Sequence, residues 1–218
     1  TEGTHSRTSP QIAEDTGRRG AGLGAASSFG SPDTVLSSAG LSDNFDDWFA
    51  VFVDVLLHPS FPAGELEKLK QRQRVRLREQ RSSPGFLTSE RFNRAVYGDH
   101  PAGQVSPSLE SIDRLDRDAL SRWHRNRYAP GNAILGIAGD VRAKELLAKL
   151  ETRLGAWKKP AVEQVWPRNP APQTAPKVFL VNRPNSVQTT VALGNIAIDR
   201  LSTDYMTMVV MNHVIGGG

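Results

Sequence analysis

Residues 54–84, DVLLHPSFPAGELEKLKQRQRVRLREQRSSP, hold the end of one helix, a turn punctuated by proline, and a second, charged helix. Pro59 and Pro62 bracket the turn, because neither tolerates a helix interior. Pro62 also sets the backbone angle for the first turn of the next helix, and Glu65 and Glu67 lie near that turn, where acids suit the helix dipole. From there Leu66, Leu69, Gln73 and Leu77 recur at spacings of three and four, which predicts a narrow inward stripe.

Outward from this stretch, 218 residues suffice for one large domain, or for one domain and part of another. Apolar content of 38% and charged content of 23% belong to an ordinary soluble globular composition. No apolar run approaches the roughly 18 residues of a membrane span. The opening TEGTHSRTSPQIAED lacks the basic-then-apolar pattern of a signal peptide. The chain has no Cys, which excludes thiolate zinc sites, disulfides and thiol catalysis. A net charge of +4 permits acidic partners without implying nucleic acid.

Upstream of the central stretch, Ser9-Pro10 predicts the start of a helix reaching about Arg19. Residues 22–30 and 34–41 read as a hairpin turning at Pro32-Asp33. Ser42 is expected to cap an apolar core helix carrying Trp48, Phe49, Val51, Phe52, Val55 and Leu56. Asp43, Asp46 and Asp47 suit the first turn of that helix better than a calcium loop. Downstream, helices are predicted over 86–97, 108–114 and 117–127, then a strand over 133–138. The next helix, over 143–154, has Leu146, Leu147, Leu150 and Leu154 on one face. Five prolines in residues 156–176 predict an extended linker. Strands at 177–181 and 186–194 and an apolar helix at 204–215 follow. The expected organisation is a first domain over 1–155, the linker 156–176, and the opening of a second domain over 177–218, with the chain cut at both ends.

These signals converge on a resemblance. Glu2-Gly3-Thr4-x-x-Arg7-Thr8, Leu56-x-x-Pro59-x-Phe61, Tyr97-Gly98-x-His100-Pro101, Tyr128-x-Pro130-x-Asn132-Ala133 and Gly139-Asp140-Val141 occur in the order and spacing of the pitrilysin/insulinase family of zinc peptidases. Ser186-Val187-Gln188-Thr189, Asp204-Tyr205 and Asn212-x-x-x-Gly216-Gly217-Gly218 resemble the start of that family's second repeat domain. The resemblance covers essentially the whole chain and is greatest to the non-catalytic subunit of bacterial two-subunit members. It implies an α+β fold with an antiparallel-rich sheet and helices on one face. It also implies subunits that close like a clam around an extended peptide.

The family's chemistry needs an H-x-x-E-H motif and a third ligand, a Glu, on a later helix. Two His hold Zn²⁺, the intervening Glu activates the bound water, and the distal Glu completes the site. By the resemblance the motif falls just before Thr1. The five His, at 5, 58, 100, 124 and 213, include no pair three or four apart, so each reads as structural or solvated. The family's distal zinc Glu falls at Arg76, and a supporting Glu seven residues earlier falls at Leu69. Leu69 offers no polar atom, and Arg76 is a fixed cation without a lone pair. Glu79 is the one alternative ligand, three residues out of register. The basic run of Lys68, Lys70, Arg72, Arg74, Arg76, Arg78 and Arg81 scatters around its helix and reads as solvated rather than as a phosphate-binding face. Gly216-Gly217-Gly218 follows a helix without a Lys-Ser/Thr, so it is no phosphate loop.

The reading is therefore a non-catalytic subunit of a bacterial zinc endopeptidase, in the periplasm or the cytoplasm. It carries no cofactor itself; Zn²⁺ resides in a homologous catalytic partner, or the chain pairs with itself as a homodimer. Two alternatives stand beside it: an active zinc endopeptidase with H-x-x-E-H upstream and Glu79 as ligand, and a structural core subunit of a larger assembly. The Pro-rich linker generates a first prediction. Limited proteolysis should nick within 156–176 before it cuts within 43–155, and first cuts inside 43–57 would show the boundary to be misplaced.

Overall fold

The structure is a computed structural model that describes residues 2–31, 33–157 and 167–216. In chain order its elements are α1 (Ser9–Arg18), β1 (Gly22–Ala26), β2 (Val35–Ala39), α2 (Phe45–Leu57), α3 (Ala63–Ser82), α4 (Pro84–Tyr97), α5 (Leu109–Arg114), α6 (Arg117–Arg127), α7 (Ala143–Leu154) and α8 (Tyr205–Ile215). The architecture is α+β, dominated by helices, with β1 and β2 paired antiparallel. The chain divides into one unit of Thr1–Glu79 with Ser106–Trp166 and another of Gln80–Val105 with Pro167–Gly218.

In the first unit, Thr8 opens α1 through a capping box: its hydroxyl accepts from the Gln11 N–H, and the Gln11 side chain accepts from the Thr8 N–H. The hairpin that follows pairs Gly22 with Ala39 and Ala26 with Val35. A short 3₁₀ turn, Ser42–Asn44, precedes α2, and no side chain caps it or α2. The cap expected from Ser42 is thus absent, because Ser42 already lies inside the 3₁₀ turn. Asp46 and Asp47 occupy the first turn of α2, as their charge favours.

The core is built on α2. Phe45, Phe49 and Phe52 stand one turn apart and stack with ring centroids 5.0 and 5.6 Å apart. Val53 completes the buried cluster, and Leu23 and Leu36 of the hairpin and Leu146, Leu150 and Leu154 of α7 pack against it. Leu147, expected on the same face, is exposed instead, because its position on α7 turns it away from α2. Trp48 lies edge-on to Phe45 and donates its indole N–H to the Leu41 carbonyl at 3.0 Å. That bond brings Trp48 so close to the backbone that a Cβ at Gly40 would sit 2.8 Å from its Nε1.

On α3 the inward stripe is shifted from its expected register. Leu66 and Leu77 are buried, but Leu69 is 43% exposed and Lys70 takes the inner position at 8%. Lys70 is tolerated there because its ammonium donates to the carbonyls of Asp113 and Leu115, at 3.0 and 3.1 Å. Neighbouring Arg74 donates to the Asp113 carboxylate, so the basic helix is tied to α5 on one side and solvated elsewhere.

In the second unit, Ser83 caps α4, and Gly98 (φ 58°) ends it. Arg91 lies 4.1 Å over the Phe179 ring, and the Gln173 amide donates to the Ala95 and Val96 carbonyls at the end of α4. The strands expected at 133–138, 177–181 and 186–194 are not strands in the structure. Their backbones lack the hydrogen bonds of a ladder, which only a neighbouring strand can provide. Of the expected linker, residues 158–166 lie outside the described residues, as do Pro32 of the hairpin turn and Gly217-Gly218. No helix among the described residues is long and apolar enough to cross a membrane.

The α2 core and the outward Leu69 make opposite demands. Phe49→Ala should cost about 3–5 kcal/mol in urea unfolding. Leu69→Ala should cost less than about 1 kcal/mol. Equal losses would mean that the burial assigned to the two positions is wrong.

Candidate functional site

The residues that position α3 are assembled around Asp54, near the end of α2. Residues 3–8 lie along the turn between α2 and α3: Thr4 forms a β-bridge with Pro59, the Ser60 N–H donates to the Gly3 carbonyl at 3.1 Å, and the His5 N–H donates to that of His58 at 3.0 Å. Gly3 (φ 151°) suits this contact, because a Cβ there would lie 3.0 Å from the Ser60 hydroxyl. The segment then delivers three donors to one carboxylate oxygen. Thr4 and Ser6 donate through their hydroxyls to Asp54 Oδ2 at 2.7 and 2.8 Å, and Arg7 Nη1 donates to it at 2.5 Å. Arg7 also spans to Asp15 on α1, Nε to Oδ2 at 3.0 Å, and Asp15 in turn holds Arg19.

The Asp54 side chain is only 14% exposed. Burial is the largest single influence on its carboxyl and pushes the pKa up. The hydrogen bonds from Thr4, Ser6 and Arg7, with the Arg7 charge, outweigh it and hold the group below the usual carboxylate range. The hydrogen bond from Arg7 likewise draws Asp15 down, against a smaller opposing effect of burial and with help from Arg19. On the other side of the turn, His124 of α6 places its Nε2 2.8 Å from the Leu56 carbonyl, near the end of α2. Its ring lies 4.6 Å from Tyr128 and 6.0 Å from Phe61, whose backbone takes the left-handed region at φ 46°. Burial lowers the His124 pKa, only partly offset by its bond to Leu56, so the ring favours the neutral form. The turn that launches α3 is therefore clamped by Asp54 on one side and His124 on the other.

On α3, Leu69 and Arg76 stand seven residues apart, two turns along one face, and both are exposed. Glu79 is exposed as well, one turn further on and not without a partner of its own. A Zn²⁺ site needs three or four nitrogen, oxygen or sulfur donors converging on one point. Leu69 and Arg76 supply none, and among the described residues no group of three or more His, Cys, Asp or Glu could hold a metal ion. The described residues of this chain do not fit the metal. The other His do local work: His58 lies 3.4 Å from Asp54 Oδ1, and His100 Nδ1 accepts from the Ala102 N–H.

The sequence motif that holds Thr4 and Arg7 does not reveal their common partner. The available signal was Asp54 itself, a lone acid in the apolar run FAVFVDVLL, which cannot be buried without a cation and hydroxyls to receive it. Lys70 and His124 carried no comparable signal, because their partners are backbone carbonyls.

The family model described as the Peptidase M16 inactive domain matches residues 114–218. A solved peptidase M16 inactive domain from Pseudomonas fluorescens is 26% identical with a TM-score of 0.70, covering 80% of this chain and 42% of that one. These matches support a pitrilysin/insulinase-family, inactive-domain-like protein. Two curated relatives agree with this placement. An uncharacterised zinc protease from Rickettsia bellii is 28% identical over 69% of this chain and 36% of its own length. A probable mitochondrial-processing peptidase β subunit from Schizosaccharomyces pombe is 25% identical over 99% of this chain and 47% of its own length. The chain thus spans less than half the length of these relatives.

The Asp54 network makes a prediction about pH. The unfolded carboxyl titrates near 3.8 and the folded one lower, so its contribution to stability is complete above about pH 4 and is lost as pH falls through the folded value. Asp54→Asn should cost about 1–3 kcal/mol at pH 7 and should flatten the acid limb of the stability curve. Equal stability of the two proteins at pH 7, with parallel acid limbs, would refute the role assigned to this carboxylate.

Proposed function

We propose that this chain is a non-catalytic subunit of a pitrilysin/insulinase-type zinc endopeptidase. It forms half of a clam-like chamber, and a homologous partner holds the metal. The observation that carries the reading is the face of α3, where Leu69 and Arg76 replace carboxylates with an apolar side chain and a permanent cation. A guanidinium there repels Zn²⁺ instead of binding it. The inactive-domain match over residues 114–218 supports the same reading. In this proposal residues 1–155 form a first peptidase-like domain. The segment 177–218 opens a second one, to which the partner's substrate peptide is presented. The subunit's task is to hold an extended peptide through main-chain hydrogen bonds while the partner performs the cleavage.

The test is reconstitution. This subunit at its full length is mixed with its candidate metal-bearing partner, and cleavage of a fluorogenic peptide is followed with and without a zinc chelator. Cleavage should require both subunits and should be abolished by the chelator. Arg76→Glu in this chain alone should restore nothing, because one carboxylate gives Zn²⁺ too few ligands. Chelator-sensitive cleavage by this subunit alone would overturn the proposal and favour Glu79 as a ligand.

A further inference from the structure

In the first unit, a cavity of about 570 Å³ opens between the segment 3–8 and one face of α6, lined by His5, Arg117, Asp118, Ser121, Arg122 and Arg125. The α6 positions recur at spacings of one, three and four, so the helix turns all five side chains to the same side. Three guanidinium groups thus face one carboxylate. Among the described residues neither Arg122 nor Arg125 forms an ion pair with a carboxylate, whereas Arg7, Arg19, Arg74, Arg81 and Arg94 each do. Arg117 is held in place, its Nε donating to the Ser60 carbonyl at 3.0 Å, which leaves its outer nitrogens free for a ligand. His5 is positioned by its backbone N–H on the His58 carbonyl, the same contact that aligns the Asp54 donors.

We infer that this cavity binds carboxylate side chains of an acidic peptide. Guanidinium forks match the two oxygens of a carboxylate, and among the described residues Arg122 and Arg125 make no ion pair with an acid. The cavity has room for one or two side chains with their flanking backbone, and its charge is confined to one helix face, unlike the long stripe that tracks a nucleic-acid backbone. The peptide part of this inference rests on the peptide-holding role proposed above; the preference for acid rests on the cavity alone.

The experiment measures fluorescence anisotropy of a labelled octapeptide carrying two adjacent Glu, and of its Gln counterpart, titrated with the full chain. The proteins are wild type, the double variant Arg122→Gln/Arg125→Gln, and Arg72→Gln, an exposed charge on α3 as control. Melting temperatures of all three should agree, since these side chains lie at the surface. The Glu peptide should bind wild type about tenfold more tightly than the Gln peptide, as expected for two partly screened ion pairs. The preference should vanish in the double variant, persist in Arg72→Gln and weaken as salt is raised. Equal binding of both peptides to wild type would overturn the inference and leave the peptide-holding role standing. No binding of either peptide would overturn that role and the inference with it. Displacement of the Glu peptide by inorganic phosphate, at concentrations where acetate does not compete, would assign the cavity to phosphate and also overturn the inference.

Discussion

Placing the Asp54 carboxylate against the apolar side of α2 costs free energy unless its charge is met by donors, and Thr4, Ser6 and Arg7 meet it from one short segment. Much of the geometry of the first unit follows from this one ion. The segment 3–8 is drawn along the turn at 58–60, α1 is tied in through Arg7 and Asp15, and the direction in which α3 leaves the turn is set. His124 supports the same junction from α6 with a ring whose burial lowers its pKa.

The chemistry displayed along α3 depends on that direction. A helix turns residues 69 and 76 to one side wherever it points, but the turn at 58–62 decides what that side faces. The inner positions of α3 are filled by Leu66, Lys70 and Leu77, and Lys70 spends its charge on the carbonyls at the end of α5. What remains outward is a leucine and a guanidinium. Neither of these outward side chains offers a lone pair to a metal ion.

The helices were largely legible in the sequence because their signals are local. Ser9-Pro10 marks the start of α1, although Thr8, one residue earlier, is the cap, and Phe49, Val51 and Phe52 of the apolar run are buried on α2. The register of α3 was not legible, since Leu69 and Lys70 compete for one inward position and apolar content alone favours the leucine. Only the carbonyls of Asp113 and Leu115, more than forty residues away, decide for the lysine. Strands at 133–138, 177–181 and 186–194 failed for a related reason: alternating or branched apolar residues state a preference, and a ladder needs a partner that no single stretch can specify. At the candidate site, the lack of donor atoms at 69 and 76 can be read from residue type, whereas the Asp54 clamp required knowing which distant groups converge.

Among the described residues the stretch 133–138, AILGIA, pairs with no strand, and Ile134 is fully open to solvent. A backbone in this state offers a row of free N–H and C=O groups beside apolar side chains, the combination from which intermolecular sheets grow. Loss of soluble material should therefore rise with concentration while the helical core is still intact, and the unpaired apolar stretches at 177–181 and 186–194 add to the same tendency.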